Sequence, residues 1–199
     1  MKYKLPIAVP KGLKIRVTQY YGDKTRVAWY KANGIDIDEH NGIDFCIGDA
    51  IETYGTKLVC PFPRAGLNKI WFEGAMNTKG NGIEIGYSDG KDYLQIVLWH
   101  LSEVVTNGLY LEGETLGYIG NSGLCDPRPT AERPFNGSHL HLIAYRNGVL
   151  IDPQEIFDLS QWYEGEETGQ GKDLPPLFWS LDHAKKLLTD LINKFKMKK

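Results

Sequence analysis

The sequence of 199 residues predicts a mainly β protein, built on an antiparallel β-sheet or sandwich and followed by a C-terminal amphipathic helix. Three observations favour this fold class. Glycine accounts for 22 residues and aromatic residues for 12%, a composition typical of turn-rich β proteins. Short runs rich in β-branched and aromatic residues are separated by Asn-Gly or Asp-Gly pairs, which favour hairpins. No run alternates with a helical pattern of about 10–15 residues, which argues against a parallel sheet.

The body of the chain contains seven predicted strands. The turn pairs among them are Asn33-Gly34, Asp89-Gly90, Asn107-Gly108 and Asn147-Gly148. A short helix is predicted to follow Asp152-Pro153 and to end at Phe157. The predicted strands are Lys14–Gln19, Lys57–Cys60, Lys69–Phe72, Gly82–Tyr87, Tyr93–Trp99, Thr115–Ile119 and His139–Tyr145.

The composition divides the chain into three predicted segments: a β-rich domain at residues 1–163, an acidic Gly- and Pro-rich linker at 164–176, and a basic helical tail at 177–199. Apolar residues of the tail recur at helical spacing from Leu181 to Phe195, and its lysines lie mostly on the other face. We expect this helix to pack on the domain or on a second copy, or to lie on an anionic lipid or polymer surface.

Charge and cysteine content exclude several classes of protein. The formal net charge of −2 and the pI near 6.2 argue against a dedicated nucleic-acid binder. Cys46, Cys60 and Cys125 are odd in number and form no C-x-x-C pair, so we expect small buried side chains rather than a disulfide framework. No apolar run is long enough to span a membrane, and no apolar segment follows the basic N-terminus as in a signal peptide.

The histidines of the β-rich domain are the main candidates for metal-binding and catalytic residues. Alternate residues of a strand point to the same face, so His139 and His141 can both reach one small site, although such a pair is also typical of an exposed alternating strand. His40 and Asp44, four residues apart with Gly42 permitting a bend between them, add two more zinc-ligand types. His40, Asp44 and His141 then make three protein ligands, and three ligands with an open fourth position are typical of a catalytic zinc site.

Two histidines of the body are not in this ligand set. His100 follows the predicted strand Tyr93–Trp99, and His139 adjoins the ligand His141. Zinc-dependent hydrolysis needs a group that takes the proton of the attacking water and donors for the developing oxyanion. His100 and His139 can supply both. The alternative interpretation of His100 is a strand-end histidine that hydrogen-bonds only to the backbone.

Several motifs occur in a fixed order along residues 14–157. They are His40-Asn-Gly-Ile-Asp44-Phe, Trp99-His100-Leu-Ser, Gly113-Glu-Thr-Leu-Gly117-Tyr-Ile-Gly120-Asn-Ser-Gly123, Gly137-Ser-His139-Leu-His141-Leu, and the closing pairs Asn147-Gly148 and Asp152-Pro153. In kind and order these motifs resemble the lysostaphin/LytM-type zinc metallopeptidases, which cut peptidoglycan peptides.

The resemblance implies a fold and a set of roles. The sheet would carry a substrate groove with Zn²⁺ on its floor. The zinc ligands would be His40, Asp44 and His141. The catalytic residues would be His100 and His139, which orient or deprotonate the water and stabilise the tetrahedral intermediate.

The implied substrate is an extended cross-link or stem peptide of bacterial peptidoglycan that contains glycine or D-amino acids. Tyr20 and Tyr21 lie where the family often carries groove residues, so they are candidate substrate-binding residues. The alternative is that both are ordinary aromatic residues packed within the fold. Two other functions stay open. One is a non-catalytic module of this fold with a wall-binding, regulatory or phage structural role. The other is a carboxypeptidase or amidase with the same zinc constellation.

The sequence departs from the resemblance at three places. Fifteen residues at 124–138, with three prolines, replace a short turn, and we expect this loop to set specificity or partly cover the groove. Ile143 stands where the family often has an acidic residue, so a hydrogen-bond acceptor behind the ligands is missing or comes from elsewhere. Cys46, two residues after Asp44, is expected to be a small buried residue rather than a fourth zinc ligand.

The place of action follows from the implied substrate. Since no signal peptide is apparent, we expect the enzyme to reach the cell wall after lysis or by non-classical export. Small size and a basic tail suit a phage-encoded lysin, and they equally suit an exported cellular enzyme. The C-terminal helix is a candidate contact with the cell wall, a membrane surface or a protein partner.

Overall fold

The computed structural model describes residues 2–70 and 79–165. Within these ranges the chain forms fifteen strands, two short α-helices and one 3-10 turn at Pro153–Glu155. The elements are, in chain order, β1 (Tyr3–Lys4), β2 (Ala8–Val9), β3 (Ile15–Gln19), α1 (Val27–Ala32), β4 (Ile43–Ile47), α2 (Ala50–Thr53), β5 (Lys57–Val59), β6 (Arg64–Ile70), β7 (Gly82–Ser88), β8 (Tyr93–Trp99), β9 (Leu101–Val104), β10 (Gly108–Leu111), β11 (Thr115–Ile119), β12 (Leu140–Arg146), β13 (Val149–Ile151), β14 (Phe157–Asp158) and β15 (Tyr163–Glu164).

The main sheet has the strand order β10-β6-β7-β8-β12-β4-β3, with β13 beside β12, and all its pairings are antiparallel. A smaller antiparallel sheet has the order β5-β11-β9. Two short parallel pairs, β1 with β14 and β2 with β15, join the N-terminal residues to the end of the described chain. The predicted mainly β, antiparallel fold is confirmed.

The hydrophobic core lies between the main sheet and the smaller sheet. Along β4, Ile43, Phe45 and Ile47 are fully buried in the core, whereas Asp44 and Cys46 alternate with them and face the other side. The core residues contributed by the smaller sheet are Leu58, Leu101, Leu116 and Ile119. The alternation leaves the outer face of the main sheet for polar side chains at β4 and β12.

All seven predicted strands fall on observed strands. The prediction Lys69–Phe72 covers only the end of β6, and its last two residues lie outside the described residues. The sequence did not predict the other eight strands, which are β1, β2, β4, β9, β10, β13, β14 and β15. It also missed α1, which has six residues and whose N-cap residue Arg26 makes no capping hydrogen bond, so the helix leaves little local signal.

The four turn pairs play different roles. Asn147-Gly148 closes the β12–β13 hairpin with φ angles of 53° and 79°, as a type I′ turn requires. Asp89-Gly90 lies in the connection from β7 to β8. Asn33-Gly34 instead follows α1, and Asn107-Gly108 links β9 to β10, which belong to different sheets, so neither pair forms a hairpin turn.

The C-terminal predictions reach the limit of the described chain. The short helix predicted after Asp152 is the 3-10 turn at Pro153–Glu155. β15 includes Glu164, the first residue of the predicted linker. Residues 166–176 of that linker and the predicted helix at 177–199 lie outside the described residues. Among the described residues, no helix has the length and apolar character needed to cross a membrane.

Gly82 at the start of β7 supports a close packing contact. A Cβ built there would lie 2.4 Å from the Trp99 ring and 2.7 Å from the Leu98 carbonyl oxygen. We expect Gly82→Ala to lower the free energy of unfolding by about 1–3 kcal/mol, the usual cost of overpacking, in urea denaturation.

The matched control for this substitution is Gly66→Ala in β6, where no atom lies within 4 Å of the added Cβ. Since alanine reduces the freedom of the unfolded chain, this variant should keep the stability or raise it by up to about 1 kcal/mol. Equal losses in the two variants would contradict the packing argument.

Candidate metal centre

Strand register brings Asp44 and His141 together. β4 and β12 are antiparallel neighbours, and Asp44 stands directly opposite His141. Opposite residues share a face of the sheet, and His141 Nδ1 lies 2.7 Å from Asp44 Oδ1. Leu140 and Leu142 are fully buried in the core on the opposite face. The alternation of β12 therefore directs the His141 imidazole to the outer face, as the sequence pattern predicted.

His40 reaches the same point from the loop before β4. Its Nδ1 donates a hydrogen bond to the Tyr20 carbonyl oxygen at 3.0 Å, so the lone pair of the neutral ring is on Nε2. His40 Nε2 lies 3.2 Å from Asp44 Oδ1 and 3.0 Å from His141 Nδ1. The Tyr30 ring of α1 stacks parallel to the buried His40 ring, with centroids 6.3 Å apart. Packing and the backbone hydrogen bond thus fix the orientation of His40.

Gly42 permits a close approach of backbones. A Cβ built on Gly42 would lie 2.5 Å from the Leu142 carbonyl oxygen and 2.9 Å from His141 Cε1. Only glycine lets the His40–Asp44 segment lie this close to β12. The sequence indicated a bend at Gly42, whereas the structure shows that the absence of a side chain is what matters.

The three donor atoms fit a zinc ion. Tetrahedral bonds of about 2.0–2.2 Å place neighbouring ligand atoms roughly 3.3–3.6 Å apart. The donors of His40, Asp44 and His141 are 2.7–3.2 Å apart, so side-chain shifts of about half an ångström complete the geometry. Two imidazole nitrogens and one carboxylate oxygen suit zinc, and this set leaves one tetrahedral position open.

The protonation of these ligands differs. Burial alone would raise the pKa of Asp44, but the charge of His139 and hydrogen bonds from His141 and His40 hold that pKa well below its ordinary value. Burial lowers the pKa of His141 despite Asp44. Burial acts the same way on His40, but the hydrogen bond and charge of Asp44 outweigh it and raise the pKa. His40 is therefore the ligand that keeps its proton at the highest pH.

His100 occupies the corner where the chain leaves the main sheet. It follows β8 and precedes β9 with φ of 66°, a left-handed conformation that is uncommon outside glycine. Its Nδ1 donates to the Ser122 carbonyl oxygen at 2.8 Å, so Nε2 carries the lone pair. Burial, with the nearby His139 and His141, lowers the pKa of His100 to about 3, so this imidazole is neutral at physiological pH.

His139 lies beside His100 at the start of β12. Its Nδ1 donates to the Gly137 carbonyl oxygen at 2.7 Å, and its Nε2 lies 3.9 Å from Asp44 Oδ2. The rings of His100 and His139 have centroids 4.4 Å apart. In their neutral forms, both rings therefore keep Nε2 free as a proton acceptor next to the three-ligand cluster.

These side chains line a groove of about 600 Å³ on the outer face of the main sheet. One wall comes from α1 and the residues after it, and the other from the loop at 124–138. Arg26, before α1, forms an ion pair with Asp126 of the loop and also lies 4.7 Å from the centre of the Trp29 ring. The fifteen-residue loop therefore forms a wall of the groove and is tied to the opposite wall.

The structure brings five of the predicted site residues together at the groove, and these are His40, Asp44, His100, His139 and His141. Tyr20 and Tyr21 do not line it. Tyr20 is half exposed and contributes its backbone carbonyl to His40, while Tyr21 packs against the core. Substrate contact through the tyrosine rings stays a prediction.

Two departures from the family pattern have structural roles in the groove. Cys46 lines the groove, but its thiol donates to the Ser138 carbonyl oxygen at 3.5 Å, and it does not join the donor cluster of His40. Ile143 is buried in the groove wall against Val97 and Trp99. Cys46 is thus outside the donor cluster, as the sequence predicted, but it is only partly buried, because it lines the groove.

Sequence reasoning missed the contribution of α1 to the groove. Arg26, Trp29 and Tyr30 all line it, as does Gln19 of β3, whose Oε1 accepts the Tyr30 hydroxyl at 2.6 Å. The available signal was the run of aromatic and cationic residues close to the His40 motif. Without a recognisable helix, that run could not be assigned to a face.

We expect the zinc affinity of the metal-free protein to rise with pH and to level off above the raised pKa of His40. The carboxylate of Asp44 is already ionised and the ring of His141 already neutral, because the pKa of each is lowered. The proton of His40 is therefore the one that competes with the metal. Calorimetric titration with Zn²⁺ in buffers of different ionisation enthalpy should detect about one proton released per ion below that pKa and fewer above it. An affinity unchanged across roughly pH 6–8 would contradict this ligand set.

Comparison with known proteins gives matches among solved structures alone, since no protein-family model and no curated protein matches the chain. A chain of the SpoIIQ–SpoIIIAH pore-forming complex is 17% identical, with a TM-score of 0.53 over 79% of this chain and 92% of that one. The catalytic domain of lysostaphin from Staphylococcus simulans is 22% identical, with a TM-score of 0.47 over 73% and 92%.

A zinc-containing peptidase from Vibrio cholerae is 17% identical, with a TM-score of 0.49 over 76% of this chain. The present chain spans only 39% of that protein's length. At 17% identity and a TM-score of 0.53, the match with the SpoIIQ–SpoIIIAH chain establishes a shared fold and nothing beyond it.

Proposed function

We propose that this protein is a zinc-dependent endopeptidase that hydrolyses peptide cross-links or stem peptides of bacterial peptidoglycan. The observation that carries the proposal is the convergence of His40, Asp44 and His141 in the groove, with all three donor atoms within 3.2 Å of one another. Two additional imidazoles stand beside this cluster, which matches the needs of a hydrolytic site better than those of a structural metal site.

Zinc held by His40, Asp44 and His141 would supply a Lewis acid for the scissile carbonyl and an activated water. His100 and His139 would orient the attacking water, take part in transfer of its proton and stabilise the negative charge that develops on the substrate. His100 Nε2, on a neutral ring whose Nδ1 is fixed to Ser122, can accept a hydrogen bond from the attacking water and so orient it for the attack.

His139 would contribute to the same proton transfer and charge stabilisation. Its Nε2 faces Asp44 at 3.9 Å, and its ring touches that of His100. His139 Nε2 can therefore accept a proton from the attacking water and pass it to the leaving amine. The two histidines are therefore proposed as the catalytic residues.

The groove suits an extended peptide. It is open rather than enclosed, and peptide groups need hydrogen-bond donors and acceptors along its walls. The buried amide Nε2 of Gln19 has no hydrogen-bond partner among the described residues, although the Gln19 side chain is held by Tyr30. Gln19 is therefore a suitable donor to a substrate carbonyl. Peptidoglycan as the polymer is supported by the resemblance of the motifs, and the bacterial cell wall would then be the place of action.

A non-catalytic role is the second candidate. A solved structure that matches with a TM-score of 0.53 belongs to a complex described as pore-forming. The ion pair of Arg26 with Asp126 also joins the groove walls. A protein of this kind would act through its surface and would not need His100 or His139.

Cleavage of purified sacculi, combined with metal analysis, separates these functions. We expect one tightly bound zinc per wild-type chain and the release of new amino termini, abolished by a chelator and restored by zinc. His141→Ala should lose the metal together with activity, because it removes a ligand. His100→Ala should retain zinc but lose activity by about 10²-fold or more, the usual contribution of acid–base catalysis.

Each outcome of that experiment has a clear meaning. Loss of zinc from His100→Ala would contradict the roles assigned to the histidines. Zinc-loaded wild-type protein that leaves sacculi intact would favour the non-catalytic module. Release of only single terminal residues would instead indicate a carboxypeptidase, and the masses of the fragments name the bond that is cut.

The Arg26–Asp126 ion pair is expected to restrict entry of the polymer. Asp126→Asn removes the charge that ties the loop to α1. Since exposed pairs contribute about 0.2–1 kcal/mol, kcat/KM on sacculi should rise by up to about five-fold, with little change on a short soluble peptide. The matched control is Asp38→Asn, which breaks the Lys31–Asp38 pair beyond the groove lining. Equal effects of the two substitutions would contradict a gating role.

A further inference from the structure

A second cluster of metal-ligating side chains lies beside the first. His100, Cys125 and His139 each offer one ligand atom, and these atoms lie within 4.8 Å of one another. The three residues come from the β8–β9 corner, the loop at 124–138 and the start of β12. No ligand is shared with the cluster of His40, Asp44 and His141.

The two imidazoles are oriented for this cluster by the backbone. Since Nδ1 of His100 donates to Ser122 and Nδ1 of His139 donates to Gly137, each neutral ring offers Nε2 as its ligand atom. Cys125 Sγ is 3.6 Å from the same Ser122 carbonyl oxygen that His100 uses. One backbone oxygen therefore holds both a histidine and the cysteine of the cluster.

Cys125 is held in place by close packing. Its side chain is almost fully buried. A Cβ built on Gly137 would lie 2.8 Å from Cys125 Cβ and 2.4 Å from the Pro127 carbonyl oxygen, so the loop folds tightly over the cysteine. A sulfur held this firmly against two imidazoles is a preorganised ligand rather than a surface thiol.

The donor set selects a class of metal. One thiolate and two imidazoles favour borderline and soft ions such as Zn²⁺, Cd²⁺ and Cu⁺, and they disfavour Mg²⁺ and Ca²⁺, which need oxygen ligands. The first cluster has a carboxylate in place of the thiolate. The two sites therefore share an affinity for zinc but differ in the presence of sulfur, which gives each a distinct spectroscopic signature.

We propose that His100, Cys125 and His139 form a second metal site whose occupation by excess zinc inhibits the enzyme. Binding exchanges the thiol proton for the metal: the S–H bond breaks, an S–metal bond forms, and the proton leaves to solvent without any redox change. The Nε2 lone pairs of His100 and His139 are then bound to the metal and cannot accept a proton. The inhibitory effect rests on the proposed function, whereas the existence of the site does not.

The site itself is tested by titrating the metal-free protein with Cd²⁺, which binds thiolate strongly and gives a sulfur-to-metal charge-transfer band in the ultraviolet. We expect the wild type to bind two ions per chain by native mass spectrometry and to show this band. Cys125→Ser should bind one ion and lack the band. The matched control is Cys46→Ser, which removes another groove-lining thiol and should behave as the wild type.

Three results would overturn the site. These are a single ion in the wild type, a band that persists in Cys125→Ser, and a band lost in Cys46→Ser. Circular dichroism checks that each variant is folded. If Cys125→Ser does not fold, Cys125→Ala removes the sulfur without adding a hydroxyl group and provides the same test.

The inhibitory role is tested by sacculus cleavage in rising zinc. The concentration for half-inhibition should be at least about ten-fold higher in Cys125→Ser than in the wild type, because a direct ligand is lost. Equal inhibition of both would overturn the inhibitory role. If neither protein cleaves sacculi at any zinc concentration, the proposed function fails, and the ion count and the charge-transfer band still decide whether the second site exists.

Discussion

The pairing of β4 with β12 is the constraint on which the site depends. This register places Asp44 opposite His141, and it simultaneously places Phe45 opposite Leu140 in the core. Because side chains alternate along a strand, a slip of one residue would move the site residues into the core and expose the apolar ones. The burial of apolar side chains on one face therefore maintains the geometry of the polar cluster on the other.

The charge balance of that cluster explains why it can exist inside the fold. A largely buried carboxylate is costly unless a cation or several donors compensate it. In the metal-free chain, Asp44 has His40 and His141 within 3.2 Å, and the hydrogen bond and charge of Asp44 raise the pKa of His40, which favours a proton on that ring. A divalent ion replaces this proton and serves the same electrostatic purpose. The interactions that compensate the buried charge of Asp44 in the metal-free chain are thus the same ones that favour metal binding.

The sequence predicted the parts of the site that follow from local periodicity. His139 and His141 share a face because strands repeat every two residues, and the turn at Asn147-Gly148 needs two positive φ angles that only a few residues adopt readily. The meeting of Asp44 with His141 spans 97 positions and depends on strand register, so spacing could not show it. The sequence analysis joined the two residues because their types complete a zinc ligand set, and the resemblance of the motifs implies the same set.

Other features had no local signal. The helix α1 is short and uncapped, and the pairing of Arg26 with Asp126 joins positions 100 residues apart. The sequence indicated a long, proline-containing loop at 124–138, but its length and prolines do not say which wall it contacts. Cys125 likewise appeared only as a small apolar residue, because its proximity to His100 and His139 arises from the tertiary fold.

The loop at 124–138 takes part both in the ion pair that joins the groove walls and in the second metal site. Asp126 reaches across to Arg26 on the opposite wall, and the adjacent Cys125 lies beside His100 under Gly137. A polymer that separates Arg26 from Asp126 and shifts the loop would disturb the adjacent Cys125 and weaken the second cluster. A metal ion bound there would in turn fix the loop in its present position. Such coupling is reciprocal by thermodynamic necessity, so substrate and the second metal ion would oppose each other through the loop as well as through the histidines they both need.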